Sequence, residues 1–316
     1  MGLIDASNNE TIFTFLSEFD PHSKDQTVIE VTFLATIFML ALVGNGMILV
    51  TLMRSKIWIA TNYFIINLAG SNLIFALGIP FIAVTRVKED WVFGDVACKL
   101  ITYVEFVCGV SSIITMLAIS VERYVCVCTY QNIKMSKTVA GYVIFMSWLM
   151  SLCCPVPIAL TQTEKHIIMH NRTYVFCGVS WERSFNSGVY LTMMFVLFFV
   201  IPLLIISLNY YRIIKLVRNS ALGDVSNNKK RIEKSQKRLL EMCISLVLAF
   251  VLMCLPFFIL SLLGIYYNII TSSQFTATFI LVLANTCINP IIYGFFNCTH
   301  PGNWFKCKEK ECPQIT

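Results

Sequence analysis

A chain of 316 residues that is 57% hydrophobic and only 13% charged is too apolar for an ordinary water-soluble domain, where about a quarter of residues carry charge. Its 14 glycines and 9 prolines exclude collagen-like and low-complexity architectures, and a mean hydropathy of +0.71 excludes disorder. The net charge of +6 does not imply nucleic acid, because most of the basic excess sits in one loop between membrane-length apolar stretches.

Seven stretches reach the roughly 20 apolar residues that a spanning helix needs. They are 27–53, 62–85, 97–122, 139–161, 188–210, 239–267 and 275–296. The expected fold is therefore an all-α membrane protein, a seven-transmembrane helix bundle over 27–296. An N-terminal segment, 1–26, precedes it and a short tail, 297–316, follows. Lys and Arg set the orientation, since they concentrate on the cytoplasmic side. Segments 54–60, 130–140, 211–238 and 297–316 hold 16 of them, against 6 in 1–26, 86–96, 162–187 and 268–274. The N-terminus is expected outside and the C-terminus inside, with the lipid bilayer as solvent for the spans.

The first residues are acidic, with Asp5, Glu10, Glu18 and Asp20 before Lys24, and lack the basic lead of a signal peptide. Sequons at Asn9 and Asn171 fall on the expected outer side and are candidate glycosylation sites. Of 13 cysteines, two are placed on the oxidising face, Cys98 at the start of the third span and Cys177 in the long loop after the fourth. A disulfide between them would staple that loop to the third helix. Cys298, Cys307 and Cys312, just past the seventh span, are candidates for palmitoylation.

Polar groups inside a span are costly and point to function. Asn45, Asn67, Asn72, Asn285 and Asn289 are placed to hydrogen-bond between helices, with plain helix adhesion as the alternative. Glu30 and Lys99 lie within about a turn of a span end, where they can reach water. Glu105 is different. It stands two turns, about 10 Å, below Cys98 on the same face, among apolar neighbours. Such an acid either takes up a proton or meets a cation, and a counter-ion for a positively charged ligand group is the functional reading. Five turns further, about 27 Å, stands Arg123, beside Glu122. Prolines at 80, 157, 202, 256 and 290 are candidate kinks.

The ordered set of residues matches a family. Gly44-Asn45 lies in the first span, Asn67-Leu68-Ala69 in the second, and Trp91-Val92-Phe93-Gly94 before Cys98. Glu122-Arg123-Tyr124 ends the third span, Trp148 marks the fourth, and Pro202 with Tyr210 the fifth. Phe250 and Pro256 mark the sixth, and Asn289-Pro290-Ile291-Ile292-Tyr293 the seventh. Over about 27–296 the chain resembles the rhodopsin-like (class A) G-protein-coupled receptors. The resemblance implies an extracellular ligand, a heterotrimeric G protein and arrestin as a further cytoplasmic partner, with no catalysis and no cofactor. It also implies that Arg123 pairs with Glu122 when inactive, and on activation meets the G protein, Tyr210 and Tyr293 as the sixth helix swings out.

Four positions depart from the family pattern. Asn72 replaces the usual Asp of the sodium site, so sodium modulation is expected to be weak. Cys254 replaces the usual Trp before Pro256, which leaves Phe250 to carry more of the coupling. Gln236 replaces an acid that in many members locks Arg123, so elevated basal signalling is expected. Pro301-Gly302 disturbs the short helix expected after the seventh span.

Helix faces place a ligand pocket below the outer mouth. Its expected lining is Glu105, Phe106 and Gly109 from the third span, and Met194, Phe195 and Phe198 from the fifth. The sixth contributes Phe257, Phe258 and Ser261, and the seventh Phe279 and Leu283. Retinal is excluded, because the seventh span has no lysine. A carboxylate ligand lacks a deep basic partner apart from Arg86. The strand-like run Arg172–Cys177 is similar to the hairpin loop of peptide-binding members. A peptide with a cationic group is the first reading, and a biogenic amine or other small cation the second.

Other classes fit less well. An intramembrane serine protease needs a histidine within a span, and His22, His166, His170 and His300 all lie outside them. An aspartyl protease needs paired Asp residues in the spans, which are lacking. No metal site is expected, since His166 and His170 alone are poor zinc ligands. A membrane transporter stays as the non-receptor alternative, though paired charges along a path and an inverted repeat are not evident.

Overall fold

A computed structural model describes residues 2–5, 10–13, 24–54, 58–128, 135–169, 172–180, 186–220, 227–267 and 272–297. Among these, seven helices are long and apolar enough to cross a membrane. They are Asp25–Met53, Ala60–Lys88, Gly94–Cys128, Lys137–Thr161, Gly188–Leu216, Leu240–Gly264 and Gln274–Gly294. They follow the seven expected stretches in order. The third is buried over 61% of its apolar window and the fifth over 17%, so the third span is the axis of the bundle. Large apolar side chains face outward, among them Phe33, Phe145, Leu204 and Leu252, as they must where lipid is the solvent.

The prolines act unequally. The second span breaks at Leu77 and Gly78, just before Pro80, and the fourth at Cys154 and Pro155, just before Pro157. Ahead of Pro202 the fifth span holds a π-helical turn, Val196–Val200. Pro256 and Pro290 sit inside unbroken helices. The sixth-span helix starts well before the membrane segment and runs Asn227–Tyr267.

Two large apolar clusters form most of the core. One lies toward the Cys98 end and includes Trp91, Phe257, Phe279 and Leu283. The other lies toward the Arg123 end and includes Ile119, Tyr210, Phe250, Cys254 and Tyr293. Amides tie the helices together between them. Asn45 Nδ2 donates to the Thr286 carbonyl at 2.9 Å. Asn67 Nδ2 donates to Thr115 Oγ1 at 2.8 Å, and Trp148 Nε1 donates to Asn67 Oδ1 at 2.8 Å. A Cβ on Gly44 would stand 2.7 Å from Pro290 Cβ, so the first and seventh spans approach this closely because that position has no side chain.

Glu30 does not reach water as its place near a span end suggests. It is buried, and Arg86 Nε and Nη2 donate to its Oε2 at 2.9 and 2.6 Å. The reason is tertiary: Arg86, 56 residues away in sequence, arrives at the same depth on the second span. Lys99 does stay near the surface, paired with Asp95.

A four-stranded antiparallel sheet covers the Cys98 end of the bundle. The strands are β1 Gly2–Asp5, β2 Glu10–Phe13, β3 Gln162–Met169 and β4 Arg172–Ser180, in the order β1-β2-β4-β3. The expected strand-like run falls in β4. β1 and β2 add a hairpin that the acidic segment did not suggest, and β2 joins β4 through Ile12 opposite Ser180 and Phe13 opposite Val179. Cys98 and Cys177 form the expected disulfide, with Cα atoms 5.5 Å apart. Further hydrogen bonds hold the sheet to the bundle, among them one from the Thr163 hydroxyl to Asp95 Oδ1 at 3.0 Å. Trp91 N donates to the Val175 carbonyl, Val175 N donates to Asp90 Oδ1, and Glu164 N donates to Asp95 Oδ1, at 2.9, 2.9 and 3.0 Å. Asn9, Asn171, Cys298, Cys307, Cys312 and Pro301-Gly302 lie outside the described residues.

Candidate functional site

Below the sheet, between the third, fifth, sixth and seventh spans, lies a cavity of about 140 Å3. Each wall follows from helical spacing. Thr102, Glu105, Phe106 and Gly109 recur every three or four residues on the third span, and so do Cys254, Phe257, Phe258 and Ser261 on the sixth. The fifth span adds Met194 and Phe198, and the seventh Phe279. Nine of the eleven expected lining residues thus meet at one cavity. The other two stand behind it. Phe195 packs on Phe199 and Phe258, at 5.3 and 5.4 Å between ring centroids, and Leu283 is fully enclosed in the core.

Glu105 is the one charged side chain among the described lining residues. Its Oε1 is buried with no hydrogen-bond partner. That oxygen rests against the break in the second span, where a Cβ on Gly78 would stand 2.6 Å from it. The missing side chain at Gly78 makes room for the carboxylate. Ser261 gives its hydroxyl proton to the Phe257 carbonyl at 2.8 Å, so toward the cavity it offers lone pairs. Glu105 and Ser261 therefore suit a ligand group that donates hydrogen bonds. Arg86, the remaining base for a carboxylate ligand, is engaged by Glu30.

Fourteen lining residues escaped the helix-face argument, among them Asn72, Leu191, Phe199, Phe250, Cys254 and Asn285. Several lie deeper than the expected pocket, and the small Cys254 explains their reach. A ladder of rings leads down from the cavity wall. Phe258 lies 5.2 Å from Phe199, and Phe199 lies 5.8 Å from Phe250. Such contacts link the cavity to the cluster that holds Tyr210 and Tyr293.

At the floor, Asn72 Nδ2 donates to Asn45 Oδ1 at 3.4 Å. The carboxylate that would attract sodium is absent from this position. Raising sodium to about 0.15 M at constant ionic strength is expected to leave agonist affinity unchanged. A strong fall in affinity across that titration would sink the expectation.

At the other end of the third span, Arg123 Nε donates to Glu122 Oε2 at 2.6 Å. Its Nη2 donates to the hydroxyl of Thr61 on the second span. Thr61 is a partner that sequence spacing could not locate. Arg212 of the fifth-span helix reaches Tyr124, with its Nη1 3.4 Å from the phenol oxygen. Tyr210 and Tyr293 are buried nearby. Gln236 lies on the Asn227–Tyr267 helix. Asn285 Oδ1 and both side-chain polar atoms of Asn289 are buried without partners. No cluster of three or more His, Cys, Asp and Glu that could hold a metal occurs among the described residues.

Comparisons with known proteins agree with this arrangement. Residues 44–293 match the family described as 7 transmembrane receptor (rhodopsin family). The chain is 31% identical over 270 residues to the somatostatin receptor type 4 of Rattus norvegicus, a match covering 83% of this chain and 68% of that receptor. It is 28% identical over 300 residues to the neuropeptide FF receptor 2 of Rattus norvegicus, covering 87% and 71%. It is 28% identical over 309 residues to the neuropeptide Y receptor type 6 of Mus musculus, covering 92% and 82%. The crystal structure of squid rhodopsin superposes with a TM-score of 0.75 at 25% identity, covering 89% of this chain and 84% of that one.

Proposed function

Since this chain belongs to the rhodopsin family of seven-transmembrane receptors, we propose that it binds an extracellular peptide through a cationic group and activates a heterotrimeric G protein. It is a multi-pass plasma-membrane protein and not an enzyme. The proposed orientation puts the sheet and cavity outside and Arg123 inside, following the basic segments.

Glu105 carries the reading. An acid with an unpartnered buried oxygen in an aromatic cavity is stabilised by an ammonium or guanidinium that neutralises it. Cations also suit the faces of the surrounding rings. A peptide is favoured by the names of the relatives, which are receptors for somatostatin, neuropeptide FF and neuropeptide Y. The cavity volume agrees with one inserted side chain, since about 150 Å3 holds a benzene ring. The rest of the peptide would lie against the β3–β4 hairpin. The same volume also suits a small amine, which is the second reading.

In the proposed mechanism the ligand binds one of two bundle states more tightly and draws the population toward it. The rings of Phe258, Phe199 and Phe250 connect the cavity to the cluster that holds Tyr124, Tyr210 and Tyr293. Pro256 and Pro290 leave backbone carbonyls without their usual donors, which eases bending there. Agonist and G protein then favour each other's binding by the same factor.

A screen of basic peptides and amines against wild type and Glu105→Gln, at matched cell-surface levels, tests the counter-ion. Cationic hits should lose about tenfold or more in potency, the worth of a charge-assisted hydrogen bond. Unchanged potency for every hit would falsify the role.

A further inference from the structure

The cavity does not end at Glu105. Its lining continues down the third span to Ser112 and Ile113, and down the sixth from Ser261 to Cys254 and Phe250. Ser112 lies seven residues beyond Glu105, about 10 Å along the helix. Cys254 stands one turn below Phe258 and one turn above Phe250, and all three line the cavity. A large ring at position 254 would close this passage, and the short thiol leaves it open. Asn72, Asn285 and Thr286 close the bottom, each at most 6% exposed.

This lower level has a chemistry of its own. No charged side chain lines it among the described residues. A charged ligand group would lose its hydration there with no counter-ion in return. Its polar groups nevertheless want partners. Asn285 Oδ1 is buried with none. Thr286 gives its hydroxyl proton to the Leu283 carbonyl at 2.7 Å, so it can only accept. An amide can turn end for end, and a hydroxyl answers either end because it both donates and accepts. Phe198, Phe199, Phe250 and Phe258 wall the passage with rings, which favour another ring in edge or offset contact.

We propose that this lower chamber is a second ligand subsite, which takes a phenol-like group: one aromatic ring whose uncharged hydroxyl bonds to Asn285 and Thr286. The proposal rests on the reading of the cavity as the ligand pocket, and it does not require the ligand to be cationic. A ligand meeting both levels would carry its cationic group near Glu105 and its ring hydroxyl about 10 Å deeper.

Phenol and toluene are suitable probes, since they are similar in shape and differ in the hydroxyl. Their affinities for the full-length receptor in lipid nanodiscs can be read by ligand-observed NMR. Asn285→Leu should weaken phenol about fivefold, the worth of a neutral hydrogen bond, and leave toluene within about twofold. Cys254→Trp should block both probes. Equal responses of phenol and toluene to Asn285→Leu would overturn the hydroxyl assignment. Undiminished phenol binding in Cys254→Trp would overturn the chamber itself, and this arm decides the matter if Asn285→Leu fails to fold. A failure of the counter-ion reading appears separately, as cationic ligands indifferent to Glu105→Gln.

Discussion

Replacing Thr61 with valine should raise nucleotide exchange in the absence of ligand about tenfold. Arg123 is held by the Glu122 carboxylate on its own helix and by the Thr61 hydroxyl on the second span. The bond to Thr61 joins two helices. Valine keeps the shape of threonine and removes the hydroxyl. A hydrogen bond to a charged group is worth about 1.5–3 kcal/mol, and 1.4 kcal/mol already shifts a two-state equilibrium tenfold. The shift appears as basal activity to the extent that the bond belongs to the inactive state alone. Thr61→Ser keeps the hydroxyl and should stay near wild type. Gln236→Glu is expected to act in the opposite direction, because it restores the acid that in many members of the family locks this Arg. Basal exchange is therefore expected to be measurable in wild type, lower in Gln236→Glu and higher in Thr61→Val. Equal basal rates in all three, at matched receptor levels, would remove Thr61 and Gln236 from the account.

Removal of the Cys98–Cys177 bond should abolish high-affinity ligand binding. The bond joins positions 79 residues apart, and closing a loop of that size stabilises by about 2–5 kcal/mol. The ties between sheet and bundle at Trp91, Asp90 and Asp95 are single hydrogen bonds, worth about 1 kcal/mol where both groups are neutral and about 1.5–3 kcal/mol where a carboxylate accepts. Without the disulfide the sheet can lift from the cavity mouth. Cys98→Ser and Cys177→Ser should each lower the thermal midpoint by more than about 5 °C. The double variant should match either single one, since both remove the same bond. A mild reductant applied to wild type should reproduce the loss. Binding that survives in both single variants would mean the sheet is held by its other contacts.

Fold and site were legible in the sequence to different depths, for physical reasons. A spanning helix must be apolar over its whole length, so seven helices were plain from composition alone. The Cys98–Cys177 pair followed from topology, because few cysteines fall on the oxidising face. Glu105 stood out because charge is rare in a span. Helical spacing then placed most of its neighbours, from Phe106 to Phe279. Spacing along one helix says nothing about which helix lies opposite. Hence Thr61 as the partner of Arg123, and Arg86 as the partner of Glu30, became visible only in three dimensions. The depth of the cavity was hidden for a related reason. Cys254 could be recognised as an unusual residue, while the opening it leaves depends on Asn72, Asn285 and Phe250 around it. The hairpin of β1 and β2 has no apolar period of its own, and it forms against β4.

The most direct test is nucleotide exchange on a purified heterotrimeric G protein by the receptor reconstituted in lipid, with a basic peptide agonist taken from the screen. The account predicts that the peptide accelerates exchange in wild type, and that Glu105→Gln needs about tenfold more peptide for the same rate. Peptide-dependent solute flux without any acceleration of exchange would contradict it.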